Sequence, residues 1–494
     1  MGRVYVAPPP VGGWNTRDPE NLMDEKDAAV LDNWFPSDNE VVGRKGYEAF
    51  ISSGMGSGDV GALAPYVYGT ASKLLACTGG NIYEISTGTA SSSLASGLSS
   101  NNWQWISFGS RTLLFNGVDN EKSYDGTTIS NAGWTGVTAG TLFAATVFKS
   151  RVYALKVNSQ SVLYGGVGAV TGAMTEFNLS QVAGTFGGNV AAVGSMTLDA
   201  GAGVDDLIFF IMTTGDCFVY QGSDPGVDFA LVGVFKMGAP LGRRPCVRIG
   251  AETLVMTRDG IVPMSKVISK GKLSKDFSLS DKISTSYADS VQVYGSTTGW
   301  EGTYFADGNK VIFNIPKNAG YCQYVMNART GAWCRYTGIQ ATTWAQLGEN
   351  IYFGSTDGKV YKAETGLSDN GAAIPLNGRQ AFNFLRQRDK MKLYSAVRLS
   401  FRSSGRVQVT VTMNTDYKKR SGRVQFFTQA GSGTAWDAAA WDSFIWGGDE
   451  ATRGKWKIVT GKGYCGQVEV TANPLGQRIS WQDTSYMYQM AGML

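Results

Sequence analysis

The sequence contains no histidine, and this absence removes several classes of enzyme from consideration. Without an imidazole the chain cannot use a Ser-His-Asp or Cys-His mechanism. It also lacks the side chain that most often acts as a general base near neutral pH. Enzymes that rely on paired carboxylates are still compatible with the composition, but we expect no catalytic residue here.

Cysteine is scarce and scattered. The six cysteines form no C-x-x-C pair, and no histidine is present to complete a zinc site. We therefore expect neither a metal nor a cofactor, and we interpret the thiols as reduced core residues. These cysteines are Cys77, Cys217, Cys246, Cys322, Cys334 and Cys465.

An excess of charge of one sign is also missing. The chain has 44 basic and 40 acidic residues, a formal net charge of +4. No overall field would attract nucleic acid or an anionic membrane from a distance. No apolar run is long enough to cross a bilayer, and the N-terminus does not resemble a signal peptide. The sequence predicts a protein made in a cytoplasm, without stable membrane insertion.

Glycine, by contrast, is abundant, with 64 residues spread along the chain, and aromatic residues make up 12%. This composition favours an all-β protein with many tight turns and a well-packed core. Seven segments repeat one pattern, in which an apolar strand runs into a turn of Gly, Asp or Asn and continues as an alternating strand. They are 74–85, 112–126, 151–165, 207–220, 253–262, 310–327 and 350–361.

The spacing of these segments, on the order of 40 to 50 residues, is that of a four-stranded propeller blade. The sequence therefore predicts a six- or seven-bladed β-propeller with an additional small β-domain; unrelated hairpins in a large sandwich are the alternative. We expect the turn residues of the repeats to be structural. They are Gly80, Asp125, Gly126, Gly215, Asp259, Gly260, Asp357 and Gly358.

Three domains follow from these patterns. We predict an N-terminal arm with a short helix at 1–40 and a propeller at 41–375, in which the strand near 41–50 closes the last blade and covers an exposed edge. Period-two alternation after residue 390 predicts a C-terminal β-domain at 376–494.

The N-terminal arm is unusually apolar for a free tail. Trp14, Trp34 and Phe35 all lie in it. Exposed apolar side chains of this size usually mark an interaction surface. We therefore predict that these three residues contact a neighbouring subunit.

Several other charged residues each have a structural interpretation and a functional one. The Asp125 turn resembles the Asp-box of sialidase-like propellers, itself a structural turn. A glycosidase would need two facing carboxylates, for which Asp119, Glu121 and the Asp205-Asp206 pair are available by type. The Arg243-Arg244 pair after Gly242 could be an exposed pair, although a turn is the simpler interpretation. Basic residues from Lys418 to Arg423, followed by four tryptophans, could bind single strands, although turn charges and core tryptophans are the commoner meaning.

Two stretches resemble a known family. The first is VGGWNTRDP at 11–19, followed by AVLDNWFP at 29–36 and RKGY at 44–47. The second is YVMNARTGAWCRY at 324–336, followed by IYFG at 351–354 and GKVY at 358–361. Together they are similar to the opening and the final blades of tail nozzle or hub proteins, the tubular tail proteins of short-tailed bacteriophages.

The resemblance implies a non-enzymatic virion protein, assembled in the bacterial cytoplasm, that forms a six-fold ring below the portal and adaptor. Its expected partners are other copies of itself, the adaptor, a tail fibre or spike, and a plug or needle. Double-stranded DNA would pass through the ring without sequence recognition. The alternative function, from a different class, is a receptor- or glycan-binding propeller, or one that hydrolyses glycans.

Overall fold

The computed structural model describes residues 2–180, 186–199, 204–270, 277–420, 423–428 and 451–491. It is almost entirely β-structure and divides into two compact units. Unit 1 comprises Met1–Glu48, Gln323–Ile339 and Ala363–Leu494, and unit 2 comprises Ala49–Cys322 and Gln340–Lys362. No helix among the described residues is both long and apolar enough to span a bilayer.

The N-terminal strands are β1 (Arg3–Ala7), β2 (Gly13–Trp14), β3 (Asp27–Asp32), β4 (Trp34–Pro36), β5 (Val41–Gly43) and β6 (Tyr47–Ile51). The next strands are β7 (Ala62–Tyr68), β8 (Ala71–Thr78), β9 (Asn81–Glu84), β10 (Gln104–Phe108), β11 (Arg111–Phe115), β12 (Lys122–Tyr124), β13 (Ile129–Asn131), β14 (Trp134–Thr135), β15 (Leu142–Phe148), β16 (Arg151–Lys156), β17 (Ser161–Gly165) and β18 (Gly172–Asn178).

They are followed by β19 (Val190–Asp199), β20 (Val204–Met212), β21 (Asp216–Gln221), β22 (Ala230–Lys236), β23 (Cys246–Ile249), β24 (Glu252–Thr257), β25 (Gly260–Pro263), β26 (Glu301–Phe305), β27 (Lys310–Lys317), β28 (Gly320–Asn327), β29 (Trp333–Tyr336), β30 (Ala341–Leu347), β31 (Asn350–Ser355) and β32 (Val360–Ala363). The helices are α1 (Met264–Lys270) and α2 (Ser284–Tyr294), with a 3-10 turn at Asp281–Ile283. The C-terminal strands are β33 (Leu376–Gln380), β34 (Lys392–Ser403), β35 (Gln408–Thr415), β36 (Arg423–Phe427), β37 (Ala451–Gly463), β38 (Gly466–Ala472) and β39 (Ile479–Met490).

Unit 2 is a closed ring of sheets. Seven successive antiparallel sheets, which we call blades 1 to 7, begin with β7, β10, β15, β19, β23, β26 and β30. Each of these innermost strands contacts the innermost strand of the next blade, and β30 contacts β7. The ring therefore closes, and the predicted β-propeller is confirmed with seven blades among the described residues.

The core of the propeller lies between neighbouring blades. Leu75 and Cys77 of blade 1 pack with Trp103 and Leu114 of blade 2, and similar clusters fill the next gaps around the ring. Another cluster joins blade 7 to blade 1. Both faces of a blade are covered, which explains why β8, β11, β20 and β31 each contain at least three consecutive apolar residues instead of a strict alternation.

Each of the seven repeated segments supplies the middle hairpin of one blade, such as β8–β9 in blade 1 and β31–β32 in blade 7. In blade 5 the helices α1 and α2 follow β25. The segment 41–50 divides between two sheets: β5 pairs with β4 and β39 of unit 1, whereas β6 lies beside β32 at the outer edge of blade 7.

Unit 1 contains two sheets. One has the order β37-β34-β39-β5-β4, with β1 also paired to β39, and the other runs β29-β3-β33-β38-β35-β36, with β2 on β3. Large aromatic side chains fill the space between them: Trp34 and Phe401 each pack on Trp481, and Phe401 also packs on Phe426. The N-terminal strands are therefore part of the same β-sandwich core as the C-terminal strands.

The prediction of a short helix in the N-terminal arm is wrong. Residues 2–51 contain strands and turns and no helix. The Asn15 side chain accepts hydrogen bonds from the N–H groups of Arg17 and Asp18, and its amide donates to Asp18 and Asp27. Such local side-chain bonds offer the backbone an alternative to helix formation. The predicted boundaries at 40 and 376 also differ from the observed division, because the strands of 1–48 and 363–491 share one compact unit.

Candidate functional site

The predicted turn residues all lie at strand connections within blades. Gly80 ends the β8–β9 turn, Asp125 and Gly126 link β12 to β13, and Gly215 precedes β21. Asp259 and Gly260 join β24 to β25, and Asp357 and Gly358 join β31 to β32. All five glycines have a positive φ, which is the geometry that the sequence pattern requires at these positions.

Gly215 lies in a more crowded position than the geometry of its turn alone requires. Its φ is 86°, and a Cβ placed there would lie 2.1 Å from the carbonyl oxygen of Met237. Gly348, in the β30–β31 turn, has a φ of 59° with nothing within 4 Å of the same position. The two glycines therefore differ in crowding and not in the sign of φ.

We predict that Gly215→Ala costs more than about 2 kcal/mol of folding free energy, because it adds a backbone clash to a strained φ. Gly348→Ala should cost about 1 kcal/mol, since it meets the φ penalty alone. Chemical denaturation of the two variants checks this, and equal losses would show that crowding at Gly215 is relieved by small shifts.

The Asp125 carboxylate accepts the hydrogen bonds that close the turn between β12 and β13. The N–H groups of Thr127 and Thr128 donate to Asp125 Oδ1 at 2.8 Å each, and the two threonine hydroxyls donate at 2.8 and 3.1 Å. These bonds, that from the Thr128 N–H foremost, hold the pKa of Asp125 well below its ordinary value. All four of these hydrogen bonds come from the next three residues, and Arg111 Nη1 of β11 lies 3.8 Å from Oδ2, which is the geometry of a structural turn.

This arrangement predicts a pH dependence. A carboxyl whose pKa is lower in the folded state contributes fully above its unfolded pKa, about 3.9, and the contribution is lost as the pH falls below that value. Wild type should therefore melt above Asp125→Asn at pH 6, and the gap should narrow toward pH 3. The gap will be modest because about a third of the Asp125 side chain, 32%, is exposed to solvent. Melting curves across this range test the prediction, and a constant gap would contradict it.

Trp14, Trp34 and Phe35 do not lie on the surface. Trp34 is completely buried, and Trp14 and Phe35 are 4% and 9% exposed within unit 1. The prediction that they contact a neighbouring subunit is therefore wrong, because their side chains are already covered within this chain. Sequence showed that the segment was too apolar for a free tail, but the surface that covers it is formed by distant parts of the chain.

The two stretches that carry the family resemblance meet in unit 1. Arg335 donates to both oxygens of Asp32 at 2.7 and 2.8 Å, and its guanidinium lies 5.4 Å from the Trp14 ring centre. Trp14 in turn meets Tyr324 edge-on, with ring centroids 5.1 Å apart. Segments some 300 positions apart thus share one packed core.

Arg44, in the RKGY part of the first stretch, is a fully buried cation. It donates to both oxygens of Asp369 at 2.7 and 2.6 Å, and to Asn33 Oδ1 at 2.8 Å. Further bonds run to the carbonyl oxygens of Lys45 and Thr337. A buried charge is tolerated only when it is paired and fully hydrogen-bonded, as Arg44 is. Arg44 therefore stabilises the fold and is not placed to take part in a reaction.

The carboxylates considered for glycoside hydrolysis bind local groups instead of each other. Asp119 accepts from the N–H groups of Ser99 and Ser100, and buried Glu121 accepts from two N–H groups beside β15. Asp206 pairs with Lys149 at 2.5 Å, and the Asp205 side chain lies outside the described residues. Trp436, Trp441 and Trp446 of the basic and aromatic C-terminal segment also lie outside the described residues.

Nothing in the sequence indicated that Arg243 and Arg244 lie at the centre of the propeller. Both lie in the loop that precedes β23 and are largely shielded from solvent. Arg243 Nη1 donates to the carbonyl oxygens of Asn102 and Asn116 in the region of blade 2. Arg244 reaches Thr343 of blade 7 at 2.9 Å. The pair thus extends from blade 5 across the ring to blades 2 and 7.

Glu301, the first residue of β26, is the acidic partner in this group. Its Oε2 lies 2.9 Å from Arg244 Nη2, a close ion pair that is not aligned as a hydrogen bond. Burial raises the pKa of the Glu301 carboxyl, and the adjacent Arg244 opposes that rise. The pair is 15% and 7% exposed, so the ions are largely shielded from water.

Two cavities adjoin this group. One, of about 330 Å³, is lined by the loops that lead into β7, β10, β23 and β26, and the other, of about 310 Å³, by the innermost strands themselves. Arg243, Arg244 and Glu301 line both. We call the first the mouth cavity. Among the described residues no group of three His, Cys, Asp or Glu is placed to hold a metal ion.

No family model matches the chain, and no curated protein matches its sequence. Some solved structures match at low similarity. They include the computationally designed Ika8 protein (13% identity, TM-score 0.37, 67% of this chain and 95% of that one), BBS1N in complex with ARL6DN (10%, 0.40, 66% and 99%), and BamB from Moraxella catarrhalis (10%, 0.37, 70% and 95%). These likenesses are too weak to carry an argument about function, and the propeller is established by the closed ring of this chain's own sheets.

Proposed function

We propose that this chain is a structural virion protein of a short-tailed bacteriophage, a tail nozzle or hub subunit. In this function it forms a ring, six-fold in the family that it resembles, that continues the DNA channel below the portal and adaptor. The ring would also dock fibres or spikes and a plug or needle. The chain acts through shape and association, and not through catalysis.

One observation carries the proposal. The two stretches that resemble the family are not scattered over the structure, because Trp14, Asp32 and Asn33 of the first meet Tyr324 and Arg335 of the second in one core. A coincidental match of two short strings would not be expected to bring their matching residues into contact. The two stretches thus belong to one packed core in this chain, which supports the proposal.

Assembly contacts must then be sought on exposed apolar side chains. The edge strand β1 is a candidate, since Val4 and Val6 are each 54% exposed. Four neighbouring strands, β1, β39, β34 and β37, place Val4, Met487, Ala396 and Ile458 opposite one another in turn. Ile458 is 80% exposed. An apolar row therefore crosses the sheet, with Ala396 buried at 7% exposure and with Val4 and Ile458 exposed at its two ends, as expected of surfaces that a second copy covers.

We expect the Val4→Lys, Val6→Lys double variant to lose ring formation while it retains the melting temperature of the wild type. Leu22→Lys, at a site that is 64% exposed but outside the strands, is the matched control and should leave assembly intact. Sizing with light scattering measures the oligomer. If both variants assemble normally, this face is not a subunit contact.

The proposal itself is tested by negative-stain electron microscopy of the full chain, alone and with candidate adaptor proteins, together with a mass measurement in solution. Rings, formed alone or on the adaptor, are the expected result. A monodisperse monomer that joins no ring under either condition would contradict the proposal and favour a receptor- or glycan-binding propeller.

A further inference from the structure

Arg244, which lines the mouth cavity, has a hydrogen-bonding group that the described residues leave unsatisfied. Arg244 Nη1 is buried and has no hydrogen-bond partner among the described residues. Leaving a buried charged donor unpaired is costly, more so than for a neutral one. A group that accepts a hydrogen bond from Arg244 would remove this cost.

Arg243 adds a second cation without an acidic partner. The contacts of its guanidinium are main-chain carbonyl oxygens, and none of the described carboxylates forms an ion pair with it. Burial, followed by repulsion from the adjacent Arg244, lowers the pKa of Arg243. Glu301 is engaged with Arg244, and the Asp59 carboxylate also lines the cavity, so an anion bound to Arg243 and Arg244 would be held by their local charge and N–H groups and not by a net positive charge of the cavity.

The rest of the cavity wall is polar and suits hydroxyl groups. Ser100, Asn101 and Thr297 line it, and so does the Asp59 carboxylate, which has no cationic partner among the described residues. Carboxylates and amides on a cavity wall accept hydrogen bonds from sugar hydroxyls, whereas guanidinium groups donate to a carboxylate. A volume of about 330 Å³ is at the lower end of the range for small-molecule sites.

We infer that the mouth cavity binds a small hydroxylated carboxylate, a monosaccharide acid in its chemistry, with the carboxylate on Arg243 and Arg244 and the hydroxyl groups toward Asp59 and Asn101. This site does not depend on the proposed ring. It lies within unit 2 and includes no residue of the two stretches that resemble the nozzle family.

Calorimetric titration of the full chain with D-glucuronate tests the inference, with D-glucose and acetate as probes that carry only the hydroxyl groups or only the carboxylate. We expect saturable binding of glucuronate, at least about tenfold tighter than either comparison probe, and weaker at high salt. No binding of glucuronate, or equal binding of glucose or of acetate, would overturn the inference.

Asn101→Asp provides a variant that should fold normally. Asn101 Oδ1 accepts a hydrogen bond from the Gly80 N–H at 2.9 Å, and a carboxylate oxygen can accept the same bond. The new negative charge on the cavity wall should weaken glucuronate binding by about tenfold or more. Asn178→Asp is the matched control, because Asn178 Oδ1 also accepts a backbone N–H bond, from Ser180, but away from the cavity. Unchanged binding by Asn101→Asp would contradict the inference.

Discussion

Replacing Arg44 with methionine is expected to destabilise the protein by about 3–5 kcal/mol, because the change leaves the Asp369 carboxylate buried without its partner. Asp369 is 8% exposed and receives two hydrogen bonds from Arg44. The carbonyl of Thr337 and the Asn33 side chain lose a donor as well. Chemical denaturation, followed by a signal from unit 1, measures the loss.

Arg17→Met is the control for this prediction. Arg17 also forms an ion pair, with Asp18, but its side chain is 46% exposed. Exposed pairs contribute at most about 1 kcal/mol, so this variant should be close to wild type. A double variant, Arg44→Met with Asp369→Leu, should be less destabilised than the sum of the two single changes, because no unpaired charge remains. A loss below about 1 kcal/mol in Arg44→Met would mean that water or a neighbouring group replaces the guanidinium.

The sequence was most informative where the interacting residues are neighbours along the chain. The turn at Asp125 is closed by Thr127 and Thr128, and the hairpin at Asp357 by Lys359 and Tyr361. Such turns recur once per blade, so the period of the pattern predicted the propeller. The period of the pattern left the number of blades open, and the closed ring in the structure sets it at seven.

Residues whose role depends on distant partners were predicted less well. Asp32 and Arg335 are 303 positions apart, and nothing near either residue in the sequence indicates the other. Apolarity of the N-terminal segment was visible, but apolarity predicts burial without saying what covers the side chain. For the same reason the sequence indicated only an exposed pair or a turn at Arg243 and Arg244, because their burial exists only when seven blades close around them.

Deletion of residues 2–36 gives the clearest test of how the N-terminal segment functions. As a docking arm, it could be removed without loss of folding. In the structure it supplies β1 to β4, and β3 lies in the interior of a sheet, between β29 and β33. Removing it would leave two sheet edges unpaired and uncover Trp481, which packs on Trp34.

We therefore expect the truncated protein to lose cooperative unfolding of unit 1 altogether, with rapid proteolysis of residues 363–420. Unit 2 should stay folded, because β6 and the innermost strands of all seven blades are intact. Limited proteolysis with mass spectrometry separates the two units. Deletion of residues 2–7 alone is the control; it removes only the edge strand β1 and should leave unit 1 folded.

The two deletions distinguish a docking arm from a part of the β-sandwich, because the folding of unit 1 and the assembly of the ring are measured separately. If the 2–36 deletion leaves unit 1 folded and abolishes only assembly, the segment is an arm, as its sequence suggested. If the 2–36 deletion unfolds unit 1 while the 2–7 deletion retains folding and loses only assembly, the segment has two parts. Its interior strands then belong to the β-sandwich, and the exposed side chains of Val4 and Val6 form the subunit contact. The second outcome is the one that the burial of Trp14 and Trp34 leads us to expect.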